Sequence, residues 1–395
     1  MKNKNRLFFL ICYAAYAGIY IARLNLSMAT PGLKEAGVLT TAQLGMLGSV
    51  FSVVFAAGRL LNGALSDKKP PYAMIAIGLL LAGLSNIAVG FFPPFIGILL
   101  LWSANAFAQS MLWSSILCVV SAVYDPHVAS HMTSLMVTSV ATGNILGILI
   151  NLFLIDRFGI RWAFIIPGAY VIVMAALVLL ILRRVPSIAA DEAAPHSNIF
   201  QLLGKSEIRT VLIPAILHGT AKENIPLFMT VFFVDTYAID LNQSAYFVLF
   251  IPLIGFIGRL LYPACYSLCK QNEHRVSEYA FMLCVVAAAV LCVPDVPSIV
   301  AMVCLSLLYA AISVINTSIL SVYPIRYLRS RNVASVSGLM DFATYTGAGI
   351  SSLIYGFVIE QVGHYRPMFL SWAVMSAISV AVMIFLNRRK APEQP

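Results

Sequence analysis

Charge is scarce in this sequence. Asp, Glu, Lys and Arg together make up 10% of 395 residues, and 60% are hydrophobic, whereas a soluble domain carries about a quarter charged residues. That excludes a soluble globular chain and points to an integral membrane protein. Acids are scarcer than bases, 16 against 25, giving a net charge of +9. The basic residues lie between apolar runs and do not gather on one face, so nucleic acid is not the expected partner. The seven cysteines (Cys12, Cys118, Cys265, Cys269, Cys284, Cys292, Cys304) show no metal-ligand or disulfide spacing and read as small apolar filler. A Ser/His/Asp set, a glycine-rich phosphate cradle and a nucleotide loop are all missing. The expectation is a non-enzyme without cofactor or metal, not driven by ATP.

Long apolar runs are what the sequence does have. About 20 apolar residues suffice for a helix to cross a bilayer. Twelve such spans are expected, at 7–31, 41–64, 72–92, 95–122, 131–154, 162–183, 208–235, 242–268, 277–293, 296–323, 333–358 and 364–386. They are separated by turn-forming stretches such as SDKKPP, FFPP, YDPH, DRFGIR and PDVP. The N-terminal MKNKNRLFFLICYAAYAGIY has the charge order of a signal peptide, but its apolar run is too long and no small-residue cleavage site follows, so it reads as a retained first helix. With the N-terminus in the cytoplasm, 17 of the 25 basic residues fall on the cytoplasmic side and four (Lys34, Arg157, Arg161, Arg366) on the other. This positive-inside bias places both termini in the cytoplasm.

The longest polar connection, 183–209, divides six spans from six. The expected fold is therefore all-α, with twelve transmembrane helices in two six-helix bundles: 1–184, a linker at 185–207, and 208–395. The halves repeat in one orientation. GRLL at 58–61 recurs at 258–261, SILCV at 115–119 matches SILSV at 318–322, and DRFG at 156–159 aligns with EQVG at 360–363. Duplicated halves related by a pseudo-two-fold, with a site at their interface, are a transporter architecture.

Four basic residues remain inside spans: Arg23, Arg59, Lys222 and Arg259. Arg59 and Arg259 are repeat-equivalent, lie towards the cytoplasmic helix ends, and suit a structural or gating role. Arg23 and Lys222 are near-equivalent and lie about two turns or more from either end of their helices. A guanidinium stays charged in a protein and is costly at membrane depth. The pair is therefore expected to face a shared hollow and hold an anion, the alternative being that one of them is paired to a local acid such as Glu223.

Acids within spans are few, so Glu223 and Asp341 are the candidates for proton coupling. Polar and aromatic residues expected to line the hollow are Tyr16, Tyr20, Asn105, Gln109, Trp113, Thr138, Thr142, Asn144, Asn316, Tyr345 and Thr346. His218, one turn before Lys222, is a further candidate; His127 and His131 show no ligand spacing.

GALSDKK at 63–69 resembles the loop between the second and third helices of the major facilitator superfamily, with PP in place of the second basic pair. The resemblance implies a conformational latch built on Gly63, Asp67 and Lys68. GIYIARLNLSMATPGL (18–33), NAFAQSMLWSSILCVV (105–120) and SAYFVLFIPLIGFIGRLL (244–261) are similar to spans 1, 4 and 8 of the organophosphate/phosphate antiporters within that superfamily. Span 1 also resembles the anion/cation symporters that carry sugar acids with protons. In the antiporters, arginines on spans 1 and 7 hold the substrate phosphate. The first position falls on Arg23 and the second on Lys222, which replaces a planar fork with a point charge. A span-5 histidine of that family has no counterpart here, with Val140 near its place.

The resulting expectation is a secondary transporter of a small organic anion (carboxylate, sugar acid or phosphate ester), working by alternating access with proton symport. It would act as a monomer in a bacterial inner membrane, with a proton or counter-anion and lipid as its other partners. The alternatives are an anion/phosphate exchanger, an efflux pump for lipophilic compounds, which would want an acid where Arg23 stands, or a non-transporting sensor, whose mark would be an added signalling domain.

Overall fold

The computed structural model describes residues 2–66, 69–124, 126–183, 199–327 and 333–389. By internal contacts the chain divides into two compact units, Met1–Glu192 and Ala193–Pro395. Within the first, α1 covers Lys2–Glu35, α2 Thr41–Ser66, α3 Pro71–Val89, α4 Phe95–Ser110, α5 Leu112–Val123, α6 Pro126–Phe158 and α7 Ile160–Leu182. Within the second, α8 covers Ile199–Leu203, α9 Ser206–Lys222, α10 Asn224–Tyr237, α11 Leu241–Leu268, α12 Glu273–Leu291, α13 Ser298–Asn316, α14 Val333–Val362 and α15 Arg366–Arg389. A π segment, Thr317–Val322, and a 3-10 turn, Tyr323–Tyr327, follow α13. Among the described residues, eleven helical stretches are long and apolar enough to cross a membrane.

The helix starts follow from local chemistry. Pro71 begins α3, where its missing N–H is an orphan in any case. Thr40 and Gln43 form a reciprocal capping pair before α2, with the Thr40 hydroxyl accepting from the Gln43 N–H and the Gln43 side chain accepting from the Thr40 N–H. Asp240 caps α11 by accepting from the Gln243 N–H at 2.8 Å, and Asn272 caps α12. The repeated DRFG and EQVG stretches share one backbone device. Gly159 (φ 90°) and Gly363 (φ 76°) hold the left-handed conformation that turns the last two spans of each unit.

Helix pairing also repeats. In the first unit α1 packs on α6, α3 on α7 and α2 on α4; in the second α9 packs on α14, α12 on α15 and α11 on α13. The GRLL repeat supplies one of these contacts twice. Gly58 lies against Ser110 of α4, and Gly258 against the Ala310 backbone of α13, so the small residue lets two helices approach closely in each unit. A core of Cys12, Ile19, Ile75, Leu79, Leu112, Ile116, Val171 and Val178 fills the first unit. Leu80, Leu84, Leu100, Val173 and Leu180 stand exposed, as helices in contact with lipid require.

Three expected spans differ in detail. The span at 95–122 is two helices, with a tightened i→i+3 bond at Met111 marking the join. The span at 296–323 ends in the π segment. The span at 208–235 is α9 and α10, of 17 and 14 residues, joined at Glu223. Pro226 has no N–H to give the Lys222 carbonyl, and the Thr220 carbonyl accepts from the side chains of Asn224 at 2.8 Å and Trp372 at 3.1 Å. The regular ladder is therefore interrupted at this point.

In α9 and α14 a Cβ on Gly219 would meet the Thr344 carbonyl, and one on Gly347 the Ile216 carbonyl. Gly219→Leu or Gly347→Leu is expected to cost about 1–3 kcal/mol through overpacking, read as a lower melting midpoint in detergent. Gly338→Ala, where nothing lies within 4 Å, is expected to leave that midpoint unchanged or raise it.

Candidate functional site

In the first unit Arg23 is half-buried on α1 and lies against a ladder of aromatic faces. Its Cζ is 4.4 Å from the centre of the Phe51 ring, 5.7 Å from Phe55 and 5.9 Å from Tyr20. Phe51 and Phe55, one turn apart on α2, stack on each other at 5.9 Å. A guanidinium over an aromatic face gains about 0.5–2 kcal/mol, more where water is excluded. Tyr16, buried one turn before Tyr20, contacts it edge-on at 5.4 Å and lies 5.2 Å from Trp113 of α5. The sequence-predicted residues Arg23, Tyr16, Tyr20 and Trp113 therefore form one contiguous group. Gln109 is buried and donates to the Asn105 side chain at 3.1 Å.

Thr142 and Thr138 of α6 meet a residue that the sequence reading passed over. Both hydroxyls lie within hydrogen-bond distance of the Tyr13 hydroxyl, at 2.7 and 3.1 Å. The signal was present in YAAYAGIY, where Tyr13, Tyr16 and Tyr20 recur at helical spacing. Asn144 is half-buried on α6.

In the second unit Lys222 is the last residue of α9, not two turns or more inside a helix as expected, because the ladder is interrupted there, and the break sets its surroundings. Its Nζ is 3.5 Å from the Glu223 carboxylate and 4.9 Å from the centre of the Tyr345 ring of α14. Adjacent residues on a continuous helix point about 100° apart; the break lets Lys222 and Glu223 converge. Their side chains are 17% and 14% exposed, so the pair is shielded but not sealed. The local ion pair weighed in the sequence reading is thus formed in this structure. Asp341 is half-buried one turn before Tyr345 on α14. Asn316 ends α13, and its buried Oδ1 has no hydrogen-bond partner. His218 is 2% exposed one turn before Lys222, and neither ring nitrogen makes a hydrogen bond of good geometry. Thr346 spends its hydroxyl on the Phe342 carbonyl of its own helix.

One feature common to both units was not foreseen. Two residues after each cation stands a fully buried asparagine, Asn25 after Arg23 and Asn224 after Lys222. Asn25 donates to the Asn86 side chain at 2.7 Å and the Ala163 carbonyl at 3.3 Å, tying α1 to α3 and α7. Asn224 donates to Ser351 at 2.8 Å and accepts from Ser352 at 2.7 Å, tying α10 to α14. Each cation-bearing stretch is thereby pinned by a buried polar bond close to the charge. The 199-residue offset between the two asparagines equals that between the cations, and was the sequence signal for them.

Of the residues assigned to gating, Arg59 is half-buried with its Cζ 5.6 Å from the centre of the Phe55 ring, so it shares the aromatic ladder with Arg23. Arg259 is half-buried on α11. Gly63 lies within α2, but its surroundings fall outside the described residues, as do Asp67, Lys68 and the side chains of His127 and His131. No cluster of three or more metal-ligating side chains is present among the described residues.

These helices define a multi-pass α-helical membrane protein of transporter architecture, with a shielded cation among aromatic and polar side chains in each unit. The chain belongs to the Major Facilitator Superfamily, whose family description it matches over residues 12–352. It is 28% identical over 174 residues to a probable hexose phosphate transport protein of Chlamydia trachomatis, covering 44% of this chain and 38% of that protein. It is 33% identical over 105 residues to a glycerol-3-phosphate transporter of Haemophilus influenzae, covering 26% of this chain and 22% of that protein. It is also 30% identical over 109 residues to the membrane sensor protein UhpC of Escherichia coli, covering 28% of this chain and 24% of that one. The aligned stretches thus span well under half the length of these curated relatives. Among solved structures, a bacterial homologue of the human lysosomal transporter Spinster, inward-facing and occupied, superposes with a TM-score of 0.78 at 15% identity, over 98% of each chain. At that identity the likeness is one of fold. The fold and family are those of transporters, not enzymes.

Truncating either asparagine strands its buried partners, a loss of about 1–3 kcal/mol. Asn25→Ala and Asn224→Ala are each expected to lower the detergent melting midpoint, and Asn144→Ala, on a half-buried position, to lower it less.

Proposed function

We propose that this protein is a secondary transporter of a small organic anion bearing a phosphate or carboxylate, with Arg23 and Lys222 as the anion-holding residue of each unit. The observation that carries this reading is the placement of one shielded cation per repeat, each beside aromatic rings that accommodate the organic part of a solute and each braced by a buried asparagine. The hexose-phosphate and glycerol-3-phosphate names of two relatives point to the same chemistry. Lysine in place of a second arginine makes the second contact a point charge, which suits a carboxylate as well as a phosphate.

The Lys222–Glu223 pair supports proton coupling. When an arriving anion draws the Lys222 ammonium away, the attraction holding Glu223 ionised weakens, and a proton neutralises it. Departure of the anion restores the ion pair and releases the proton. Anion and proton then travel together, which is symport. Exchange of one anion for another would need no such step. The latch residues Gly63, Asp67 and Lys68, with Arg59 and Arg259, would govern the conformational cycle, and the basic-residue bias would set both termini in the cytoplasm.

A thermal-shift series on the purified protein with inorganic phosphate, glycerol 3-phosphate, glucose 6-phosphate, glucuronate and succinate tests the anion reading. A ligand at 100 times its Kd stabilises by about 2.7 kcal/mol. Arg23→Gln is expected to abolish the shift from whichever anion stabilises the wild type while keeping the unliganded melting midpoint; an unaltered shift in that variant would end the assignment. In proteoliposomes, Glu223→Gln is expected to stop accumulation driven by a pH gradient and to retain anion counterflow. If the wild type shows counterflow but no pH-driven accumulation, exchange replaces symport. The UhpC relative keeps a sensor reading alive, and ligand stabilisation without any flux in the wild type would favour it.

A further inference from the structure

A second group of charges lies in the C-terminal unit, away from Lys222 and on the side that the basic-residue bias assigns to the cytoplasm. Glu207 stands in the first turn of α9, Glu273 and His274 begin α12, and Arg326 lies on the 3-10 turn after α13. Arg326 Nη1 donates to Glu207 Oε1 at 3.0 Å, and Nη2 pairs with Glu273. The same Nη1 lies 3.3 Å from His274 Nε2. A guanidinium has no acceptor atom, so this contact is a hydrogen bond only if Nε2 carries no proton. The network therefore assigns a neutral His274 ring with its hydrogen on Nδ1. Two carboxylates then face one guanidinium, leaving one net negative charge in a group of which His274 and Glu273 are enclosed.

That charge count is what a proton would correct. A proton on Nε2 would place a cation 3.3 Å from Arg326 Nη1, where the two repel. The protonated ring would instead face Glu207 Oε1 at 3.7 Å and Glu273 Oε1 at 3.9 Å. The four side chains differ in their freedom to move. His274 and Glu273 are 3% and 4% exposed, while Arg326 and Glu207 are 27% and 42% exposed. The repulsion is thus relieved by Arg326 turning towards water, since His274 is enclosed. Tyr323 lines the site with its ring 5.7 Å from that of His274. Of the other charged groups described on the packed elements, several bond elsewhere or are exposed. Arg209 donates to the Leu203 and Gly204 carbonyls, Glu278 accepts from Asn387, and Arg275 and Arg388 are exposed; Asp341 of α14 is half-buried.

We propose that His274, Glu207, Glu273 and Arg326 form a proton-binding site that ties the 3-10 turn to the starts of α9 and α12 when empty, and frees Arg326 when His274 takes a proton. It is separate from the proton proposed for Glu223 and needs no substrate.

Hydrogen–deuterium exchange of the purified full-length protein tests this, followed at residues 199–212 and 317–327 at pH 8.0 and pH 5.5 and corrected for the intrinsic pH dependence of exchange. Glu207 and Glu273 are both kept in the His274→Gln protein, so a pH effect lost in that variant belongs to the ring. The wild type is expected to exchange severalfold faster in these segments at pH 5.5 than at pH 8.0. His274→Gln, whose amide oxygen still accepts from Arg326, is expected to show slow exchange at both. Glu207→Gln is expected to show fast exchange at both. No pH effect in the wild type, or an undiminished effect in a His274→Gln protein with a cooperative melt, would overturn the proposal; should that variant not fold, His274→Asn takes its place.

Discussion

A positive charge that cannot leave must be compensated wherever the chain carries it. Arg23 is such a charge, with no other charged residue between Leu7 and Leu33. The first unit answers with aromatic faces on α2 and α1, and the second answers at Lys222 with a carboxylate and a tyrosine ring. Much of the local architecture follows from these two answers. The asparagine two residues on is buried and bonded in each unit, the glycines of the crossing helices let backbones approach closely beside the charges, and α9 breaks where the Lys222–Glu223 pair is made.

The two compensations differ in kind, and that difference bears on mechanism. Aromatic faces attract a guanidinium without neutralising it, whereas a carboxylate at 3.5 Å sets an opposite charge against Lys222. Under the proposed function, an anion drawn to Lys222 would compete with Glu223 and so couple its arrival to a proton.

Several polar and charged side chains outside these positions serve helix ends. Asp240 and Asn272 cap helices, and the Glu207, Glu273, His274 and Arg326 group joins three elements at one end of the second unit. Tyr365, in the turn before α15, donates to Asp235 at 3.0 Å; burial, and then the Asp235 charge, push its phenol above the usual range.

The order of the apolar spans and the repeated motifs were legible in the sequence, because each rests on local chemistry: run length sets what can span, and a repeated motif needs no contact to be seen. GRLL, DRFG/EQVG and the 199-residue offset are of this type. A place for Lys222 deep inside a helix was not, since α9 ends at that residue. Tertiary structure alone decided what each cation meets. The sequence could not tell that Arg23 lies on Phe51, that Tyr13 and not Tyr16 serves Thr142, or that α9 ends where Lys222 can reach its own neighbour. Those outcomes depend on which helices pack side by side and on a helix break produced by Pro226 together with the donors on the Thr220 carbonyl. A side chain on one helix carries no record of the face it will meet on another 28 or 129 residues away.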